Sequence, residues 1–142
     1  MKSTLGAPLP RRARKGDAGY DMYLPEDLTI KKGQRPMIDT GIILEEGDIP
    51  EGHFAMIVPR SSTGSKYGLA LANTVGIIDS DYYFSDNEGH IFIKISNDSY
   101  EGKTVTVAAG EAFAQGIFCE YGITVDDNAT AVRNGGFGST TR

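Results

Sequence analysis

Apolar and polar residues alternate with a period of two along much of this chain. In HIFIKIS (His90 to Ser96), Ile91, Ile93 and Ile95 share one face while Phe92 and Lys94 take the other, the pattern of a strand with one buried side. TVTVAAG repeats it through Val105 and Val107, and EAFAQGIFCEYGI through Phe113, Gln115, Ile117 and Cys119. HFAMIVP (His53 to Pro59) is apolar at both parities and predicts a strand buried on both faces. Polar clusters such as LPED, KKGQRP, EEGDIPEG, SDNEG, YEGK and DDNA punctuate these runs. Short strands at close spacing predict an all-β sandwich or barrel. The helical expectation is confined to a turn or two in SSTGSKYG, with Ser61 as the cap and Gly68 as the stop.

Composition narrows the picture. A chain of 142 residues is the size of a single domain with one core, and it carries no internal repeat, linker or second domain. A net charge of −5 argues against broad electrostatic binding to nucleic acid or an anionic membrane. The basic run RRARK (Arg11 to Lys15) reads as a solvated arm rather than a nucleic-acid patch. A single cysteine, Cys119, excludes an intrachain disulfide and fits a reducing compartment. With no apolar run long enough to span a bilayer and no secretory leader pattern, the expected location is cytoplasmic.

Several stretches are polar where packing alone favours otherwise. PRSSTGSKYG (Pro59 to Gly68) follows a strand with Arg60, two serines, a glycine and Lys66 at a strand-to-helix junction, which suits an anion. In NTVGIIDSDYY (Asn73 to Tyr83) an extended backbone puts Asp79 and Asp81 on one side. Two carboxylates on one face repel, so a cation, a metal or a reaction needing a base has to offset them, unless DSD is simply a turn bonded to its own backbone. Gln115 is the lone polar residue between Phe113 and Ile117, with four hydrogen-bonding positions to satisfy. Asp21 lies in AGYDMY, and the chain closes on NGGFGSTTR, where glycines surround an aromatic ring that a loose tail does not need.

Taken together, DAGYDMY (Asp17 to Tyr23), PRSSTGSK (Pro59 to Lys66), GIIDSDY (Gly76 to Tyr82), AFAQGIF (Ala112 to Phe118) and RNGGFGST (Arg133 to Thr140) closely resemble, in order, the five motifs of the trimeric dUTP diphosphatases (dUTPases). The resemblance covers nearly the whole chain. It implies a jelly-roll-like β-barrel that forms a homotrimer with shared active sites, residues 1–132 forming the barrel and residues 133–142 a C-terminal lid. It implies hydrolysis of dUTP to dUMP and pyrophosphate by water attack on the α-phosphorus, keeping uracil out of DNA and supplying dUMP.

By the same resemblance Asp79 activates the water, Gln115 helps place it and Arg60 belongs to the same polar network. Ser61, Ser62 and Gly64 face the phosphates, Mg²⁺ bridges them, and Asp21 helps hold the metal through water. A hairpin from Asn73 through Gly76 and Ile78 to Tyr82 reads the uracil edge, with Tyr82 packing under the deoxyribose. Phe137 stacks on the base, while Arg133, Gly138, Ser139 and Thr140 bring the lid to the β- and γ-phosphates. Two departures are visible. Arg133 lies four residues before Phe137, where many members have five, and YFSDNEGH (Tyr83 to His90) makes a longer hairpin after the third motif. Two other functions stand beside the hydrolase: a nucleotide-gated module controlling a protein partner, and a dCTP deaminase, which needs a glutamate as proton shuttle at the base, where no such motif stands out and Glu88 lies in the inserted turn.

Overall fold

The computed structural model describes residues 1–99 and 101–135. Ten strands make up nearly all its regular structure, as the alternating pattern predicts. One antiparallel sheet runs β1 (Lys2–Ser3), β4 (Met37–Ile43), β8 (His90–Asn97) and β6 (Leu69–Leu71). A second runs β2 (Tyr20–Tyr23), β10 (Ala112–Glu120), β5 (His53–Pro59) and β7 (Gly76–Asp79). A ribbon of β3 (Leu28–Ile30) and β9 (Val105–Val107) completes the set. Residues from all three contribute to one hydrophobic cluster, and the ladders among the described residues remain three separate sheets around it.

Ile91, Ile93 and Ile95 of β8 are buried as their spacing predicts, and so are Val105 and Val107 of β9. Two strand readings need correction. In β5 only Ala55 and Ile57 are fully buried; its other face is half-buried, although both of its edges are hydrogen-bonded. In β10 a bulge between Ala112 and Ala114 changes the phase, so Phe113 and Ala114 are both buried and Gln115 is turned away from the core. The period of two fails there because two residues oppose one on the partner strand.

The helical turn forms at α1 (Ser61–Ser65), but Arg60, not Ser61, precedes its first residue. Its C-cap is Lys66 rather than the expected Gly68, which follows two residues on at φ +67°. Thr63 is the residue that fastens it: buried, it donates to the Phe113 carbonyl at 2.6 Å. The expected hairpins around the third motif are crossings between sheets instead, since β7 pairs with β5 whereas β6 and β8 pair with each other. The RRARK run is less loose than a solvated arm. Arg11 forms a backbone bridge with Asp21, and the Arg12 guanidinium donates to the carbonyls of Lys15 and Asp17 at 2.9 and 3.2 Å. No helix among the described residues is long and apolar enough to cross a membrane.

Asn97 is the main polar fastener of the core. Fully buried, its amide donates to the carbonyls of Ile30 and Lys103, both at 2.9 Å, and accepts from the Ser99 amide at 3.3 Å. It thereby ties the end of β8 to β3 and to the approach to β9. Asn97→Ala leaves two carbonyls short of a donor, and we expect a loss of about 2–4 kcal/mol by urea unfolding with little change in slope.

Candidate active site

The residues singled out from the sequence gather into two groups, and β5 sets where each one lies. At its C-terminal end, Val58 pairs with Gln115 of β10, which pairs with Asp21 of β2. Arg60 follows immediately, its Nε 3.2 Å from the Asp21 carboxylate, which is only 11% exposed. A carboxylate so withdrawn from water needs a partner, and Arg60 provides it. Gln115 donates to the Pro59 carbonyl at 3.4 Å. Ser61, Ser62 and Gly64 lie on the solvent side of α1, beside this cluster.

Gly19 completes the group, and sequence reasoning missed it. A Cβ added there would lie 2.0 Å from Gln115 Oε1, so the glutamine occupies the space that a side chain at residue 19 would take. The glycine of AGYD was visible, but what it makes room for was not.

The second group surrounds a groove of about 860 Å³. Asn73, Gly76, Ile78, Asp79, Tyr82 and Arg133 all line it, so six of the expected site residues converge on one cavity. Asp79 ends β7, and its carboxylate is about half exposed. The two carboxylates do not share a strand face, because β7 ends at Asp79 and Asp81 lies in the turn that follows, but Arg133 meets both. Its guanidinium donates to Asp79 through Nη2, to Asp81 through Nε at 2.7 Å, and to the Gly135 carbonyl through Nη1 at 2.7 Å. The cation that offsets the DSD charges comes from the start of the C-terminal segment. Phe137, Gly138, Ser139 and Thr140 lie outside the described residues.

Tyr82 follows the turn after β7 and is 8% exposed. Its hydroxyl donates to the His90 carbonyl at 2.7 Å and accepts from the Asn87 amide at 2.8 Å. Burial pushes its phenol above the usual tyrosine range, against a smaller opposing effect of the Asn87 bond and the nearby Arg133 charge. Glu88 is exposed, has a positive φ of 58°, and is not among the groove's lining residues.

The two groups are not adjacent. Asp79 pairs with Phe54 near the start of β5, while Arg60 follows its end. Along the strand, four residues of extended chain separate the level of Asp79 from that of Gln115 and Asp21, about 13 Å at the usual rise per residue, and Arg60 lies about 20 Å on from Phe54. Within one chain, therefore, the aspartate expected to serve as base and the Asp21–Arg60–Gln115 cluster are too far apart to act on one phosphate.

As for metal, no three His, Cys, Asp or Glu side chains cluster as a binding site among the described residues. Asp21 offers one hard oxygen donor group, which fits an ion that keeps most of its own water and leans on a ligand's phosphates, as Mg²⁺ does.

The dUTPase family model matches residues 6–141. Over 138 residues the chain is 36% identical to the deoxyuridine 5'-triphosphate nucleotidohydrolase of Lactococcus lactis, covering 95% of this chain and 89% of that protein. The protein of the same description from Paraburkholderia xenovorans is 40% identical over 141 residues, covering 93% and 88%. Among solved structures, the crystal structure of dUTPase from Streptococcus mutans aligns with a TM-score of 0.72 at 37% identity, over 84% of this chain and 89% of that one. With its motifs in order and its fold shared, this chain belongs to the dUTPase family.

Proposed function

We propose that this chain carries out its family's reaction, hydrolysis of dUTP to dUMP and pyrophosphate. The observation that carries the reading is the family match over residues 6–141, together with the relatives described as deoxyuridine 5'-triphosphate nucleotidohydrolases at 36% and 40% identity. The placement of Asp79 at a groove large enough for a nucleoside supports it.

In this reading the groove holds the deoxyuridine. Backbone groups from Asn73 to Ile78 meet the uracil edge, and Tyr82 packs under the sugar. Asp79 accepts the proton of a water that attacks the α-phosphorus, and Gln115 orients that water. Arg60, Ser61, Ser62 and Gly64 supply positive charge and donors to the phosphates, the kind of preorganised field that stabilises charge developing on the leaving pyrophosphate. Asp21, through water, would hold Mg²⁺ together with the triphosphate, and the ion would supply charge neutralisation at the phosphates. Arg133 exchanges the two aspartates for the β- and γ-phosphates, while Phe137 stacks on the base and Gly138, Ser139 and Thr140 follow, so that residues 133–142 serve as the lid. We place this activity in the cytoplasm.

The distance between the two groups argues for sites shared between chains in a homotrimer. Asp79 of one chain then meets the Asp21–Arg60–Gln115 cluster of another. The outer face of the second sheet supports this, because Ile77 is 57% exposed and Met56, Val58 and Ile117 are half-buried between the two groups. A second copy laid across that face covers the apolar strip and spans the gap at once.

Three measurements follow from this reading. Purified protein with Mg²⁺ should release pyrophosphate from dUTP and not from dTTP, dCTP or UTP, and Asp79→Asn should lower turnover at least a thousandfold while still binding a non-hydrolysable dUTP analogue. An Asp79→Asn chain retaining most of its turnover would remove the base from its role. Mixing inactive Asp79→Asn chains with inactive Arg60→Ala chains should restore activity, since a mixed trimer rebuilds intact sites from two chains; no recovery after confirmed subunit exchange would rule out sharing. Finally, Gly19→Ala should keep its melting temperature within a few degrees yet lower kcat about tenfold or more, because the flexible end of Gln115 must give way.

A further inference from the structure

The longer connection after the third motif folds inward on one residue. Its Tyr82–Phe84 stretch makes a single 3-10 turn, after which the chain returns through Ser85, Asp86, Asn87 and Glu88 to Gly89. Phe84, Asp86 and Glu88 are exposed, whereas Ser85 and Asn87 face inward. The Asn87 amide donates to the Tyr82 hydroxyl at 2.8 Å and to the His90 carbonyl at 3.3 Å. Its oxygen is paired with the Ser85 hydroxyl, which in turn accepts from the Gly89 amide at 3.4 Å. All of the amide's polar atoms are thus engaged, and its orientation is settled by its neighbours.

The return of the loop is equally constrained. Gly89 has φ +81°, and a Cβ there would lie 2.4 Å from the Leu44 carbonyl oxygen, so the chain passes where only glycine fits. The Leu44 amide donates to the Gly89 carbonyl at 2.9 Å, which holds the loop to the segment after β4. Asn87 is therefore a fixed donor rather than a surface side chain. Its target, the Tyr82 hydroxyl, already donates to the His90 carbonyl. Core packing holds the ring, which is 8% exposed, and the two bonds from different directions anchor its oxygen, while Tyr82 lines the groove together with Ile78 and Asp79.

We propose that Asn87 is a positioning residue for sugar selection: its amide holds the Tyr82 ring at the angle that admits a deoxyribose and leaves no room for a 2′-hydroxyl. The inference rests on the reading of the groove as the nucleoside site of a dUTP hydrolase. The longer loop is thereby a functional part of the site in this chain, because it supplies the donor that fixes the ring.

The test compares kcat/KM for dUTP and for UTP, with Mg²⁺ and the full chain. Asn87→Asp keeps the side chain's shape and its oxygen for Ser85 but removes the donor to Tyr82 and to the His90 carbonyl, while the Gly89–Leu44 bond still holds the loop. The expected result is a fall of at least tenfold in the dUTP-over-UTP ratio, seen mainly as a gain in UTP hydrolysis. Tyr82→Phe, which keeps the ring and removes the oxygen that both bonds share, should lower the ratio to a similar extent and stands in if Asn87→Asp does not fold. Ratios within twofold of the wild type in the folded variants overturn the role of Asn87 while leaving the hydrolase reading intact. A wild-type chain that releases no pyrophosphate from dUTP overturns the reading of the groove itself, and this proposal with it.

Discussion

The position of every candidate catalytic group in this molecule depends on the hydrogen-bonding of β5 along both its edges. Seven of its residues are in register with β10, and four of those also with β7. A strand paired on both sides can neither slip nor tilt without breaking two ladders, and a one-residue slip would send every side chain to the opposite face. Arg60, Gln115 and Asp21 therefore stay at one end, and Asp79 at the other. The rigidity that sets these positions also keeps the two groups apart.

That separation gives physical meaning to the half-exposed outer face of the second sheet. A face lined by Met56, Val58, Ile77 and Ile117 has no use in a chain working alone, and leaving it in water forgoes hydrophobic stabilisation. The same sheet thus combines a buried side, which builds the core through Ala55, Ile57 and Ile78, with an open side suited to association.

The polar residues of the site illustrate a second theme, in which each is oriented by a neighbour far away in sequence. Gln115 lies in the space left by Gly19, α1 is fastened to β10 by Thr63, and Tyr82 is fixed between Asn87 and the His90 carbonyl. Arg133 bridges Asp79 and Asp81, so the charge that the DSD sequence concentrates is met by a cation more than fifty residues on. With both carboxylates half exposed, ion pairs of this kind add little to stability.

Much of this was legible in the chain itself. Local periodicity determined the faces of β8 and β9, because burial on one side of a strand requires alternation and nothing more. The ordered motifs determined the family, and with it six of the residues that line the groove. The tertiary structure decided the rest, for reasons no local pattern carries. A bulge at Phe113 turned Gln115 off the core face, since one extra residue inverts the parity of all that follows. Pairing across sheets turned expected hairpins into crossings. The roles of Gly19 and Asn87 depend on contacts with Gln115 and Tyr82 that a turn signature cannot name, and the distance between Asp79 and Arg60 exists only once β5 is laid down straight between its two neighbours.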